Sequence, residues 1–428
     1  MPMNEPNENS MDGPNQHTSL PLSLSGALPL AKKKLFKERQ LDVLSKDQIA
    51  VLQPSLADPI EPRKSGLSIN HVIGCPIDCA YCIRHKLGNY EMKEPHMLMS
   101  DKEVVQRLLH HPFFVKDITP LQIFNKATDG FLPAVKPSLF NTLDLLDREG
   151  VTNDVLLITR YKITGEDCDF LNSLKNLRTT LLVTYSGIEN KDIEPISNAI
   201  PIHSLRTAYD KADRYRVVLY WRPIVLGLND SDQQVDFALK DLSASAHATV
   251  FTGLFYKNEI RQFFLDNNLP DLASDAARRK IFPEQLEDRI ISRSIGSAAD
   301  GKLFRKTSCA VSYVHGRPDY NGHYGIINSA AREICDICPK AQINICASNH
   351  RTPSESEIRR VASLIGHEKL QFKIDPGKAV IVEHMDTESV RYFLQHYFQF
   401  QFHDENYPHK PKQHGRADIG WKNEGQKP

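Results

Sequence analysis

Three observations predict an α/β fold built on a parallel sheet. Six apolar, β-rich runs recur along the middle of the chain: Leu67–Ile73, Leu121–Phe124, Asp154–Thr159, Thr179–Thr184, Arg216–Pro223 and Ala248–Gly253. Stretches of helical periodicity alternate with them, at 101–111, 136–148, 167–175, 203–214, 230–243 and 257–266. Reactive and charged residues sit just past the ends of the runs, where a parallel sheet gathers its ligands. Composition alone leaves an open barrel and a doubly wound sheet both available.

The elements follow in order. Residues 1–30 hold too little apolar content to offset ordering entropy and are expected to be disordered. Prolines break the apolar part of this stretch, Ser19–Leu30, and no basic segment precedes it, so it reads as neither a signal peptide nor a membrane span. Lys32–Gln40 is a basic run read as a solvated tether, and 41–62 reads as a short helix and a Pro-rich approach to the first strand. The strand–helix units place the core at 63–300, with 268–300 a charged helical connector. Residues 301–350 form a cysteine-rich cap and 351–428 a small α+β extension. In that extension Thr352-Pro-Ser-Glu355 predicts a capping box opening a helix over Pro353–Leu364. A hairpin is expected to turn at Asp375-Pro376-Gly377, followed by a helix near Thr387–Tyr397. Phe393, Tyr397 and Phe400 keep helical spacing and read as core-facing, and the tail from Asp404 is polar.

The chain of 428 residues can bury a large core, and its 53 basic and 53 acidic residues cancel. Global charge therefore points neither toward nor away from nucleic acid. The eight cysteines are not spread as a disulfide framework would be: three lie within 75–82 and four at Cys309, Cys335, Cys338 and Cys346. Clustered thiols without a secretory signal read as metal ligands in a reducing, cytoplasmic setting, with no membrane association expected. Cys168 stands alone on a helix and reads as an ordinary buried thiol.

Cys75, Cys79 and Cys82 follow the spacing C-x3-C-x2-C directly after the first strand. Three thiolates can hold three irons of a four-iron, four-sulfur cube and leave the fourth iron open for a ligand. A zinc loop or plain core cysteines is the other reading, but structural zinc takes four protein ligands. The second group, Cys309 with Cys335-Asp-Ile-Cys338 and Cys346, supplies four thiolates, which fit either another [4Fe-4S] cluster or a closed zinc site. Between them, Ser312–His323 combines aromatic, His and Arg residues in a loop that suits either substrate contact or the surface.

The cysteine spacing resembles that of the radical S-adenosylmethionine (radical SAM) enzymes. Ser68-Ile-Asn-His-Val-Ile-Gly-Cys-Pro-Ile-Asp-Cys-Ala-Tyr-Cys82, Lys126-Ala-Thr-Asp129, Leu156-Leu-Ile-Thr-Arg160, Val183-Thr-Tyr-Ser186 and Arg222-Pro-Ile-Val-Leu-Gly-Leu-Asn-Asp230 resemble the spore photoproduct lyases and their DNA repair photolyase-like relatives. These stretches lie within somewhat under half the chain. The resemblance implies a partial (β/α)6 radical SAM barrel, a [4Fe-4S] cluster on Cys75, Cys79 and Cys82, and S-adenosylmethionine (SAM) bound at the open iron. An electron from the cluster would cleave SAM to a 5′-deoxyadenosyl radical that abstracts hydrogen from a substrate. Tyr81 would lie near the adenine. Thr128 and Asp129 would accept from the SAM amino group, and Arg160 would face its carboxylate, with Arg206 a second candidate. Ser186 would bind ribose hydroxyls or the carboxylate, and Arg222 would lie near the adenosine.

The resemblance further implies a nucleic-acid base or nucleotide as substrate and an electron donor such as flavodoxin or ferredoxin. Radical modification of a peptide or small molecule is a second reading, prompted by the extra cysteines. A non-catalytic iron-sulfur or zinc nucleic-acid-binding protein is a third. One position departs from the lyases: Lys126 stands where they carry a hydrogen-donating cysteine, which argues against spore photoproduct repair itself.

Overall fold

The computed structural model describes residues 41–272, 284–320 and 335–406. The expectations for residues 1–30, for Lys32–Gln40 and for the tail beyond residue 406 lie outside the described residues, as do 273–283 of the connector and 321–334 between the cysteines.

An open eight-stranded sheet organises the core. Its strands are β1 (Ile60–Arg63), β2 (Gly66–Ile69), β5 (Leu121–Ile123), β6 (Asp154–Thr159), β7 (Arg178–Tyr185), β8 (Arg216–Ile224), β9 (Ala248–Gly253) and β10 (Leu303–Phe304), in the spatial order β1-β2-β5-β6-β7-β8-β9-β10. All neighbours from β2 to β10 pair in parallel, and β1 alone runs antiparallel, against β2. The sheet does not close, since β1 and β10 are its edges. The α/β architecture and its six expected strands are present. Residues 41–62 contribute more than an approach: they form two short helices (Lys46–Ala50 and Pro54–Ala57) and then β1.

The first expected strand is interrupted. After Ile69 the chain leaves the sheet, and β3 (Val72–Ile73) pairs instead with β4 (His96–Met97), antiparallel. The break falls where polar side chains claim other partners. Asn70 bonds Ser68 Oγ at 2.7 Å, and buried His71 meets Asp101 Oδ1 at 2.9 Å.

Six helices follow the strands: α1 (Asp101–Leu109), α2 (Lys136–Arg148), α3 (Gly165–Ser173), α4 (Ala199–Asp210), α5 (Asp232–Asp236) and α6 (Asn258–Asp266). A π-helix over Phe237–Leu242 continues α5. Capping boxes start α1 at Ser100/Glu103, α3 at Thr164/Asp167 and α5 at Ser231/Gln234, where the side chains satisfy otherwise orphaned backbone N–H groups.

Period-2 alternation divides the strand side chains between two faces. Ile123, Val155, Leu157, Leu181, Val183, Leu219 and Trp221 pack against α1–α5. Leu156, Leu182, Val218, Tyr220 and Val250 pack on the other side, against α8 (Thr307–Val314), which carries Cys309. Ser312 to Val314 therefore belong to a helix rather than to the loop expected there. α7 (Glu284–Ser294) lies in the connector, and α9 (Lys340–Ser348) carries Cys346.

The C-terminal part is α+β. β11 (Phe372–Asp375) and β12 (Lys378–Ile381) form the expected hairpin, with Gly377 at φ 76° in the turn, and β13 (Gln401–Asp404) adds in parallel to β12. α10 (Glu355–Ser363) and α11 (Ser389–Phe398) cover it, enclosing Ile358, Val361, Phe393, Leu394, Phe400 and Phe402. The α10 cap differs from the expected one. Ser354 is the N-cap and Glu357 its partner, each two positions beyond the expected Thr352/Glu355, because Glu357 is placed to return a bond to the Ser354 amide (2.8 Å). His396 on α11 donates from Nε2 to the Lys64 carbonyl at 2.8 Å, tying this part to the β1–β2 turn.

Candidate active site

The three motif cysteines lie on one loop between β3 and the short helix Arg84–Leu87. All are free thiols; Cys75 and Cys79 are buried and Cys82 half-buried. Gly74 turns the chain into the loop at φ 97°, and a Cβ there would stand 2.1 Å from the Glu94 carbonyl oxygen, so glycine is required. Arg84 holds the loop from beneath. Its buried guanidinium donates to the carbonyls of Ile77 (3.0 Å), Tyr90 (3.1 Å) and Met92 (3.1 Å). Burial pushes the Cys75 thiol up and the Cys79 thiol far up from the usual range, the latter despite the opposing charge of Arg160.

The strand-end loops close around this motif. Ala80 packs with Ile188 and Ile193 of the loop after β7, with Val225 after β8, and with Leu254, Tyr256 and Ile260 after β9. Arg160, directly after β6, and Ser186, directly after β7, converge with Tyr81 on a residue that sequence reasoning missed, Glu194. Its carboxylate is 3% exposed. Oε2 accepts from the Tyr81 hydroxyl, from Arg160 Nη1 at 2.7 Å and from Ser186 Oγ at 3.2 Å, while Oε1 lies 3.8 Å from Cys79 Sγ. Arg160 Nη1 also donates to the Tyr81 oxygen, with the guanidinium 5.4 Å from that ring's centroid. Burial raises the Tyr81 hydroxyl far above its ordinary range, so it stays a donor.

Asp129 and Thr128 follow β5. Asp129 ties neighbouring strand ends together, accepting from Thr159 Oγ1 (2.7 Å), Phe131 N (2.9 Å) and Arg160 N (2.9 Å). Burial pushes its carboxyl up against the pull of those bonds. About four lone-pair sites exist on a carboxylate, so roughly one is left for a ligand. Thr128 Oγ1 is buried and has no hydrogen-bond partner among the described residues.

Other expected residues are not drawn in. Arg206, the second candidate for the SAM carboxylate, lies exposed in the interior of α4 and is not among the partners of Glu194. Arg222 turns onto Tyr220, donating to its hydroxyl at 2.8 Å, on the sheet face shared with α8. Lys126 points elsewhere, its ammonium paired with Glu61 at 2.7 Å and with the Ser55 carbonyl. Cys168 is fully buried, its thiol facing the Thr207 carbonyl at 3.9 Å. Glu194 left one weak trace in the sequence, a carboxylate in the Ile193-Glu194-Pro195 stretch of a polar loop. Arg84 left its position two residues beyond the motif.

In the second cysteine group, Asp319 touches two of the four members. Cys309 Sγ lies 3.5 Å from Asp319 Oδ1, and Cys346 Sγ accepts from Asp319 N and Gln342 Nε2, both at 3.4 Å. Burial, with Asp319 and neighbouring cysteines adding to it, pushes the half-buried Cys335 and Cys338 thiols up to about 12. Among the described residues no three His, Cys, Asp or Glu side chains converge closely enough to hold a metal ion, and no helix is long and apolar enough to cross a membrane.

The three thiols of the loop are the donor type that a cluster with one open iron takes. They share a loop held by a buried arginine, and Glu194 links Cys79 to the Arg160 guanidinium and to the Tyr81 and Ser186 hydroxyls.

No family model matches the chain, and no curated protein matches it in sequence. Among solved structures it is similar to a point mutant of spore photoproduct lyase, with 12% identity, a TM-score of 0.44, and coverage of 56% of this chain and 77% of that one. A spore photoproduct lyase variant with bound SAM and dinucleoside spore photoproduct is similar at 11% identity and TM-score 0.43, covering 60% of this chain and 84% of that one. SuiB of Streptococcus suis bound to SAM is similar at 11% identity and TM-score 0.33, covering 45% and 41%. The likeness to spore photoproduct lyase expected from the motifs thus recurs in the structural comparison, at low similarity.

Proposed function

We propose that the protein is a radical SAM enzyme acting on a nucleic-acid base or nucleotide. One observation carries the reading: of three free thiols on a single loop, that of Cys79 faces a hydrogen-bonded group of Arg160, Tyr81, Ser186 and Glu194 at the strand ends. Cys75, Cys79 and Cys82 would hold the [4Fe-4S] cluster. When bound, cluster and SAM supply a one-electron cleavage that makes a 5′-deoxyadenosyl radical for hydrogen abstraction. The chain's own residues bind and orient. Arg160 offers its unused N–H edge to the SAM carboxylate, Thr128 its partnerless hydroxyl, and Asp129 its remaining acceptor to the amino group. The apolar packing around Ala80 excludes water from this end of the site.

Anaerobic reconstitution followed by dithionite and SAM tests the reading. The expected product is 5′-deoxyadenosine; iron bound without it would sink the enzyme. Binding to DNA or RNA that weakens steeply with salt is expected for a nucleic-acid substrate.

The second cysteine group is read as an auxiliary four-iron cluster on Cys309, Cys335, Cys338 and Cys346, with a flavodoxin or ferredoxin as electron donor to the protein. The double variant Cys335→Ala, Cys338→Ala is expected to lose about four irons per chain; loss of about one zinc instead would refute the cluster.

A further inference from the structure

We propose that Glu194 is a positioning residue that aims Arg160 at the carboxylate of SAM and couples this arginine to the cysteine loop. The inference rests on the reading of Cys75, Cys79 and Cys82 as the SAM cluster site.

The geometry of the guanidinium carries it. An arginine presents five N–H donors in a planar fork. In Arg160 one nitrogen, Nη1, is taken twice, by Glu194 Oε2 at 2.7 Å and by the Tyr81 oxygen. Nη2 and Nε have no hydrogen-bond partner among the described residues, and the side chain keeps 19% of its exposure. The Nε–Nη2 edge, like the Nη1–Nη2 end, can grip a carboxylate with two parallel bonds, and of the two only this edge has both nitrogens untaken. Glu194 therefore occupies the corner of the fork that leaves the Nε–Nη2 edge unused.

Glu194 is itself held on several sides. Ser186 after β7 and Tyr81 in the cysteine loop bind the same oxygen as Arg160, and the other oxygen faces Cys79. One carboxylate thus joins the loop that would carry the cluster, the strand end that carries the arginine and the next strand end. A shift of the cysteine loop would move the guanidinium with it. Without Glu194, Arg160 keeps only the Tyr81 contact and is free to change rotamer, so a ligand carboxylate would bear the cost of ordering a long side chain.

The test uses the reconstituted full-length chain with Glu194→Gln, which keeps shape and removes charge, and Glu194→Asp, which keeps charge. SAM is titrated against the electron paramagnetic resonance signal of the dithionite-reduced cluster. Binding of 5′-methylthioadenosine, which has the adenosine part but no amino-acid carboxylate, is measured by calorimetry in parallel. Glu194→Gln is expected to bind SAM about tenfold more weakly, the loss of one charge-assisted bond. Its 5′-methylthioadenosine affinity and iron content should match the unaltered chain, and Glu194→Asp should recover part of the SAM affinity. Equal loss for both ligands would reduce Glu194 to a structural role and overturn the proposal. Unchanged or tighter SAM binding by Glu194→Gln would overturn it as well, tighter binding marking Glu194 as a competitor for Arg160. An unaltered chain that holds iron but whose signal ignores SAM would instead remove the SAM site, and this proposal with it.

Discussion

At the scale of single residues, two buried groups bond to the cysteine loop from within the core. Arg84 satisfies three backbone carbonyls that the irregular loop cannot pair by itself. Arg84→Ala would leave those acceptors buried and unpaired, at about 1–3 kcal/mol for each lost partner. The expected outcome is a chain that folds less stably and retains little iron after gel filtration; full iron retention would show that the loop holds itself. Glu194 is the second such group. Its partners Ser186, Arg160, Tyr81 and Cys79 lie 8, 34, 113 and 115 positions away, so no local window of sequence contains them. The cysteines were legible for the opposite reason, because their ligand spacing fits within eight residues.

Among the elements, periodicity located strands and helices to within a few residues, but the ends depended on which side chains capture orphaned amides. α10 shows this best, since Thr352 and Ser354 are both reasonable caps in sequence. Ser354→Ala is expected to destabilise the C-terminal part by about 1 kcal/mol in urea unfolding, and Thr352→Ala by much less. β13 adds a dependence on pH. Burial, with the positive charges of Lys378, Arg391 and Lys64, holds His403 down to about 3 from its ordinary 6.5. Between those values the unfolded chain binds a proton that the folded chain does not, so stability rises with pH. The contribution is complete above about 6.5 and is lost as pH falls toward 3, with a slope of at most about 1.4 kcal/mol per pH unit from this residue. Thermal melts from pH 7 to pH 4 should show that acid sensitivity, and His403→Gln should flatten it.

For the whole molecule, the open sheet is finished by parts outside its repeating units. α11 and the C-terminal sheet lean on the β1–β2 turn at one edge, and α8 covers the face opposite the outer helices. Exposed edges invite pairing with other chains, so covering them has a physical benefit. Arg305, just after β10, links the sheet edge to the connector and the second cysteine group: its buried guanidinium pairs with Glu287 of α7 and with Asp336 between Cys335 and Cys338. Arg305→Ala would leave the Glu287 carboxylate, 1% exposed, without its counter-ion, at a cost of about 3–5 kcal/mol. A lower urea midpoint together with loss of metal from the second cysteine group is the expected result. A loss of stability with metal retained would separate the two.

By itself the sequence determined the α/β class, the order of its strands and helices, and the cysteine loop with the strand-end residues Thr128, Asp129, Arg160 and Ser186. The strands and helices are written in apolar period and the cysteine loop in ligand spacing, while the four strand-end residues came from the motifs that carry the family resemblance. Only the tertiary structure decided that Glu194 joins Tyr81, Arg160 and Ser186, that Arg206 stays at the surface, that Arg222 turns onto Tyr220, and that the Cys309 helix packs on the sheet. Such pairings depend on which distant loops a folded sheet brings to one end, and chain-local chemistry does not encode that meeting.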